Sequence, residues 1–221
     1  SSIDALLSKQ KSFFASNQTK SISFRRNALK NLLKACLKYE KDILKALHAD
    51  LRKSPEEAFL TEFSFVVSEI KLHLKNLNKW SASKRISTPL ILRPSRSKIY
   101  YEPLGVNLVI APWNYPYLTA VNSIIPAMAA GNCVILKHSA QTPLCAEQLY
   151  QSAKKTLPKN VFNFLHLNHK DGLKVVSDPR INFVSFTGSV KAGYEVQKAT
   201  HTKFIDMALE LGGKDPAYAR Y

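Results

Sequence analysis

The sequence predicts an α/β fold in which a helical N-terminal segment and an extended arm precede a doubly wound, parallel, Rossmann-like sheet. Apolar residues recur with a period of about 3.6 through residues 1–80, which is typical of amphipathic helices. Pro89 and Pro94 then interrupt helix formation in residues 81–103. Over residues 104–221, short β-branched runs alternate with stretches that can form helices, as in βαβ units.

Two amphipathic helices account for most of the leader, residues 1–80, which we expect to pack on the sheet domain. Apolar residues recur at helical spacing over 24–47, and Ser21 or Ser23 offers a hydroxyl that can cap the first helix. A second helix is predicted over about 55–80. It has a proline in its first turn, where the missing N–H costs no hydrogen bond.

The stretch that follows the leader is predicted to be an extended arm. Its segment ILRPSRSKIYYEP is typical of edge-type, extended structure. A short extended segment is only marginally stable alone in water, so we expect it to pack on another subunit or domain. The arm therefore predicts a homo-oligomer.

Composition and charge exclude several classes of protein. The net charge of +16 could indicate a nucleic-acid partner, but residues such as Lys30, Lys34 and Lys38 recur opposite an apolar stripe, as on a solvated helix face. We therefore predict no nucleic-acid partner and rank a basic RNA-binding protein last among the alternatives. No apolar run reaches the roughly 18 residues that span a membrane. The 3 scattered cysteines predict neither disulfides nor a metal site, and they favour a reducing, cytoplasmic location.

Polar residues follow the predicted strands, and ligands of doubly wound sheets bind beyond the carboxyl ends of the strands. The first strand leads into APWNYP, where Asn114 lies in a turn stiffened by two prolines. Asn114 can cap the following helix. Alternatively, its amide N–H₂ can stabilise an oxyanion, a contribution of roughly 3–4 kcal/mol in a water-excluded site.

The second and fourth strands end in candidate nucleotide contacts. Lys137 ends the second strand, where a surface lysine is common, but its ammonium could bind a ribose or phosphate. The fourth strand ends in FTGS. Gly188 permits close backbone approach, and Ser189 adds a hydroxyl at the N-terminus of the next helix, which suits a phosphate. Each signal is weak by itself.

The last strand ends at Glu210, and two glycines follow soon after. A carboxylate there is expensive to bury unless it is paired or protonated. Gly212 and Gly213 suggest that the backbone passes close to a ligand. Glu210 is therefore predicted either as a general base whose pKa is raised by burial or as the partner of Lys214 in a salt bridge.

Taken in order, the segments APWNYP, AAGNCVILKHSAQTP, FVSFTGS and ELGGK resemble the motifs of the aldehyde dehydrogenase superfamily. The resemblance covers nearly the whole chain. It implies dinucleotide-binding βα units over 104–221, a nicotinamide cofactor and a small-molecule aldehyde substrate. In that family a cysteine thiolate attacks the aldehyde, hydride passes to the nicotinamide, and activated water hydrolyses the thioester to a carboxylic acid.

The resemblance also implies residue roles. Asn114 matches the oxyanion-stabilising amide and Glu210 the general base. Lys137 matches a lysine that contacts the adenine ribose, and Gly188 and Ser189 fall where the pyrophosphate rests. The full set of implied cofactor-binding residues is Ala111, Pro112, Trp113, Lys137, Ser139, Gly188, Ser189, Gly193, Leu211 and Gly212.

The nucleophilic cysteine is the main departure from the family pattern. It lies beyond ELGGK in the family, and Cys36, Cys133 and Cys145 do not match its place. Cys145 falls near the start of a helix, where a thiolate is favoured, but its place in the pattern is not catalytic. We expect a piece of a full enzyme whose catalytic domain is absent from this chain. The alternative is a truncated, non-catalytic nucleotide-binding remnant.

The cofactor prediction rests on two further departures from the family pattern. Ala140 replaces an acidic residue that binds the ribose 2′-hydroxyl in many NAD-dependent members, and His138 replaces a proline. Losing a carboxylate removes repulsion against a 2′-phosphate, so either NAD or NADP is expected to fit, and Lys137 and His138 could favour the phosphate. His166 and His169 lack a third ligand, so no metal is predicted.

Overall fold

The structure is a computed structural model that describes residues 3–213 and 216–219. Its leader is helical, as the apolar periodicity predicted. The leader helices are α1 (Ile3–Ala15), α2 (Ile22–Lys38), α3 (Glu40–Leu51), α4 (Pro55–Ala58) and α5 (Ser64–Ser81). Ser21 caps α2 by accepting a hydrogen bond from the Phe24 N–H, so the cap falls at the first of the two candidate serines.

The leader departs from regular helices in two places. The apolar stripe over 24–47 is divided at Tyr39, which ends α2 and precedes α3. Between α4 and α5, Phe59–Phe63 forms a single π-helical turn, a feature that is rare and often lies near a functional site. Glu62 lies in this turn and is fully buried.

The arm forms a two-stranded antiparallel ribbon. Its strands are β1 (Lys84–Ile86) and β2 (Ser97–Ile99), and a short 3₁₀ turn over Leu90–Leu92 lies between them. The turn is apolar and exposed to solvent, with Ile91 at 91% of its full accessibility.

A parallel five-stranded sheet follows the arm and confirms the predicted fold class. Its strands are β3 (Val106–Ile110), β4 (Cys133–Lys137), β5 (Phe162–Leu165), β6 (Ile181–Thr187) and β7 (Asp206–Glu210). The spatial order is β5-β4-β3-β6-β7. The chain therefore starts in the middle of the sheet, adds β4 and β5 on one side of β3, and then adds β6 and β7 on the other side. Ligands of such sheets bind at the reversal point, beyond the carboxyl ends.

Helices cover both faces of the sheet. They are α6 (Pro116–Ala129), α7 (Pro143–Thr156), α8 (His169–Ser177) and α9 (Val190–Thr200). The helices α6 and α7 share one apolar core with the leader helices α2, α3 and α5, and α8 and α9 share the other with α1. Alternate residues of β4 enter opposite cores, which explains why its sequence is continuously apolar.

Candidate functional site

A cleft of about 600 Å³ lies beyond the carboxyl ends of β3, β4, β6 and β7. It gathers all of the residues that the sequence predicted as catalytic or cofactor-binding except Gly193. Those lining residues are Ala111, Pro112, Trp113, Asn114, Lys137, Ser139, Gly188, Ser189, Glu210, Leu211 and Gly212. The cleft is also lined by Gly213, which the sequence analysis placed close to a ligand. The lining residues that the sequence had not assigned are Ile110, Gln141, His169, Phe186, Thr187 and Ala192.

Asn114 lies on the loop between β3 and α6 and is exposed to the cleft. Its Oδ1 accepts a hydrogen bond from the Tyr115 N–H at 3.0 Å, while its backbone oxygen accepts one from Lys53 Nζ at 3.1 Å. The N-cap of α6 is Tyr115, and no side chain caps it from that position. Across the described ranges the Asn114 amide nitrogen has no hydrogen-bond partner, so it can donate to a ligand.

The N-terminus of α9 faces the same cleft. Ser189 is the N-cap, and its hydroxyl accepts a hydrogen bond from the Ala192 N–H at 3.3 Å. The Gly188 N–H donates to the Glu210 carbonyl at 3.0 Å, which ties the ends of β6 and β7 together. A Cβ on Gly188 would lie 2.7 Å from the Phe186 ring, so glycine is needed there. The first turn of α9 therefore offers unpaired N–H groups to an anion.

Gly193 lies within α9 and outside the lining of the cleft. A Cβ there would approach Leu211 Cδ2 to 2.6 Å. Glycine at this position therefore lets Leu211, itself a lining residue, pack closely on α9.

Lys137 is half-buried at the end of β4, and burial lowers the pKa of its ammonium group. Its Cε lies 3.6 Å from where a Cβ would stand on Gly172, so the lysine stem passes along α8. No carboxylate of the described residues forms an ion pair with it. Ser139 and Ala140 follow on the same loop. Ala140 is exposed, and Ser139 lines the cleft beside the lysine.

The expectation that His138 could favour a 2′-phosphate is wrong. His138 is only 4% exposed, and its Nε2 lies 3.0 Å from the Pro116 carbonyl oxygen. Its Nδ1 lies 3.3 Å from the Ser139 carbonyl oxygen and 3.4 Å from the Thr142 hydroxyl, so a neutral ring can donate from Nε2 to Pro116 and accept at Nδ1 from Thr142. The side chain packs inside the protein because it alternates in direction with Lys137 and Ser139, which face the cleft.

Burial of His138 predicts a pH-dependent stability. Burial lowers the pKa of its imidazole, so the unfolded chain binds the extra proton first. Stability is fully present above about pH 6.5, the ordinary pKa of histidine, and falls as the pH drops toward the folded-state pKa. Urea denaturation at about pH 8 and about pH 5.5 should show this loss. His138→Gln should show a smaller difference between the two pH values, and an unchanged difference would contradict the assignment.

Glu210 departs from its expected environment. The sequence predicted a buried carboxylate with a raised pKa, but the Glu210 side chain is exposed. It ends β7, which has only β6 as a neighbouring strand in the part of the chain that the structure describes. Lys214, the predicted alternative partner, lies outside the described residues.

The cysteines are buried, and none lines the cleft. Burial raises the pKa of the Cys36 thiol to about 11 and that of the Cys133 thiol to about 12. Burial, together with the nearby Asp50 carboxylate, also raises the pKa of the Cys145 thiol. The expectation that the start of α7 favours a Cys145 thiolate is therefore wrong. Within 3–213 and 216–219, no group of histidine, cysteine and acidic side chains could hold a metal ion.

Lys53 and Glu62 form a buried ion pair beneath the Asn114 loop that sequence analysis missed. Lys53 Nζ lies 2.6 Å from Glu62 Oε1. The sequence gives little signal for the pair because its contacts with the loop span more than fifty positions. The only local signs were a lysine followed by a proline-initiated helix and an acidic residue at helical spacing with the apolar Phe59 and Val66.

None of the helices formed by the described residues is long and apolar enough to cross a membrane.

Comparison with known proteins identifies similar sequences and structures over nearly the whole chain. The sequence profile of the aldehyde dehydrogenase family matches residues 1–219. The 4,4'-diaponeurosporen-aldehyde dehydrogenase of Staphylococcus aureus is 39% identical over 206 residues, which are 93% of this chain and 45% of that protein. The chain thus spans about half the length of the curated relatives it matches.

Two solved structures extend the comparison. The substrate-bound state of Staphylococcus aureus AldH superimposes with a TM-score of 0.94 at 38% identity, covering 98% of this chain and 47% of that one. The betaine aldehyde dehydrogenase of the same species, in complex with NAD⁺, superimposes with a TM-score of 0.87 at 26% identity. That match covers 96% of this chain and 42% of the other.

Proposed function

The chain belongs to the aldehyde dehydrogenase family, and we propose that it supplies the cofactor site, the oxyanion amide and the general base for NAD(P)-dependent oxidation of an aldehyde to a carboxylic acid. One observation carries the proposal. A single cleft gathers the Asn114 amide, the Glu210 carboxylate, the Lys137 ammonium and the N-terminus of α9 from separate strand ends. A purely structural role would not require an amide, a carboxylate, an ammonium group and a helix N-terminus to line the same open cleft.

The donor set of the cleft fits a nicotinamide dinucleotide. The N-terminus of α9 suits the pyrophosphate, because helix N-terminal N–H groups and the helix dipole attract anions. The half-buried Lys137 suits a ribose hydroxyl or phosphate. A Cβ added to Gly212 would meet nothing within 4 Å, so the backbone there borders open space beside Leu211. The cleft volume lies within the range of cofactor sites.

We propose that both NAD and NADP bind. The exposed Ala140 carries no carboxylate to bind a ribose 2′-hydroxyl or to repel a 2′-phosphate. Lys137 has no acidic partner within the described ranges and can serve either group. Neither feature selects one dinucleotide alone.

When bound, the dinucleotide supplies the acceptor for the substrate hydride. Asn114 donates from its amide nitrogen to the carbonyl oxygen as that oxygen gains negative charge, which lowers the barrier to nucleophilic addition. Glu210 accepts a proton from the water that attacks the thioester carbonyl carbon, the C–S bond breaks, and the thiolate of the family's nucleophilic cysteine leaves. The exposure of Glu210 gives this water access. The buried Cys36, Cys133 and Cys145 do not supply the nucleophile in this proposal.

A non-catalytic nucleotide-binding protein is the second candidate. The cleft's donor set supports dinucleotide binding equally in both cases, and none of the cysteines of this chain reaches the cleft. The two candidates differ only in whether binding leads to oxidation.

Lys137→Met tests the cofactor site. The substitution keeps much of the stem but removes the charge, so we expect NAD⁺ and NADP⁺ to bind about 10–100-fold more weakly, the value of a lost charged hydrogen bond. Isothermal titration calorimetry measures both affinities. Lys41→Met, at an exposed position on α3, is the matched control and should leave both affinities unchanged. Equal affinities for the Lys137 variant and the wild type would place the dinucleotide elsewhere.

We also propose that the arm packs on a second copy of the chain. Its strands and turn leave Leu90, Ile91 and Leu92 largely exposed, and a contiguous apolar surface of this kind is typical of a protein interface. Light scattering would distinguish a monomer from a homo-oligomer.

A further inference from the structure

The buried ion pair between Lys53 and Glu62 joins the leader to the Asn114 loop. The Lys53 side chain is 10% exposed and the Glu62 side chain 0%. Burying two charges costs several kcal/mol per ion, and a well-packed apolar pair is often at least as stable. The pair therefore calls for an explanation other than stability alone, and its remaining hydrogen bonds provide one.

Glu62 holds the start of α6. Its Oε2 accepts hydrogen bonds from the N–H groups of Tyr117 at 2.9 Å and Leu118 at 3.0 Å. These N–H groups lie in the first turn of α6, where an α-helix has no internal acceptors. Because the N-cap residue of α6 provides no side-chain cap, Glu62 performs this role from the π-helical turn. A carboxylate there also complements the helix dipole.

Lys53 holds the other side of the same turn. Its Nζ donates to the Asn114 backbone oxygen at 3.1 Å and lies 3.9 Å from the centre of the Tyr115 ring. The pair thus fixes the backbone at both ends of this turn. Lys53 binds the Asn114 oxygen before α6 begins, and Glu62 binds N–H groups in the first turn of α6. The Asn114 side chain bonds only to the Tyr115 N–H among the described residues, so the direction of its amide follows that backbone.

We propose that Lys53 and Glu62 are positioning residues that orient the Asn114 amide toward the reacting oxygen. This inference rests on the proposed role of Asn114. A donor stabilises an oxyanion strongly only when its direction is fixed beforehand, and misplacement by about 1 Å can cost about 10²-fold in rate. The desolvated ion pair serves this purpose because each partner is held by the other while it binds the loop.

A double-mutant cycle in the full-length protein tests the inference. Lys53→Met should lower kcat for aldehyde oxidation by about 10–100-fold, with little change in KM for the dinucleotide. In an Asn114→Ala background the same substitution should cost less than about twofold, because the amide that Lys53 orients is gone. If the two losses multiply instead, Lys53 acts independently of Asn114 and the inference is overturned.

Lys203→Met is the matched control. Lys203 is a partly buried lysine whose Nζ donates to the carbonyl oxygens of Val176 at 2.6 Å and Asp178 at 2.8 Å, away from the Asn114 loop. It should lower stability without lowering kcat. A comparable loss of kcat in this variant would mean that the Lys53 effect is general destabilisation. If Lys53→Met does not fold, Tyr115→Leu removes the half-exposed ring beneath the ammonium and should give a smaller loss with the same non-additivity.

Backbone hydrogen exchange provides a readout that does not depend on activity. In Lys53→Met, the amides of Tyr117 and Leu118 should exchange at least about tenfold faster, since Glu62 loses its partner and holds them less firmly. Unchanged exchange would overturn the inference even if Asn114 proved catalytic. Faster exchange combined with full activity of Asn114→Ala would instead overturn the proposed role of Asn114.

Discussion

Replacing Asn114 with alanine is expected to lower kcat of the full-length protein by about 10²–10³-fold, with KM for the aldehyde nearly unchanged. The amide lines the cleft, and its nitrogen has no partner among the described residues, so it is available to the reacting oxygen. Because the amide is proposed to bind the oxygen most strongly in the transition state, its loss should appear in kcat. Steady-state kinetics measure both parameters.

Asn76→Ala is the control for this prediction. Asn76 is a partly exposed asparagine on α5, and its amide donates to the Leu72 carbonyl oxygen at 2.9 Å, away from the cleft. It should leave kcat unchanged. If Asn114→Ala retains the wild-type kcat, or loses activity only through a raised KM, the oxyanion role is contradicted.

Among the substitutions proposed here, removal of the Glu62 carboxylate is expected to lower the free energy of unfolding most. Glu62→Ala leaves the Lys53 ammonium without its carboxylate partner in a buried site and removes the acceptor for two N–H groups of α6. Breaking a buried pair from one side typically costs about 3–5 kcal/mol in free energy of unfolding. Urea denaturation measures this loss directly.

Glu69→Ala provides the comparison on α5, the helix that follows the π-helical turn. Glu69 is partly exposed and pairs with His73, so its loss should cost no more than about 1 kcal/mol. Similar losses for the two variants would show that the Lys53–Glu62 pair contributes no more than a surface pair.

Local patterns in the sequence predicted the fold because its elements repeat at fixed periods. Helical spacing over 24–47 and the apolar runs of the strands both follow from burial, and the helices and parallel sheet appear where they were expected. The interruptions were harder to predict. The break at Tyr39 and the π-helical turn at Phe59–Phe63 arise from packing among helices, and the local apolar spacing carries no sign of either.

The candidate site was predictable where residues sit at strand ends, since a parallel sheet brings those ends together. Side-chain environments were less predictable. His138 points inward because successive side chains alternate in direction and its neighbour Lys137 faces the cleft. Glu210 is exposed at the end of β7, which pairs only with β6 among the described strands. The contact between Lys53 and Asn114 joins segments 61 positions apart, and only the folded chain brings them together.

Reduction of NAD⁺ or NADP⁺ by the full-length protein, measured with and without an aldehyde, tests the central claim most directly. We predict that reduced nicotinamide accumulates only when dinucleotide and aldehyde are both present, and that Glu210→Gln or Asn114→Ala suppresses it while the dinucleotide still binds. Tight dinucleotide binding with no aldehyde-dependent reduction would contradict the proposed oxidation. In that case the cleft would belong to a nucleotide-binding protein without oxidation chemistry.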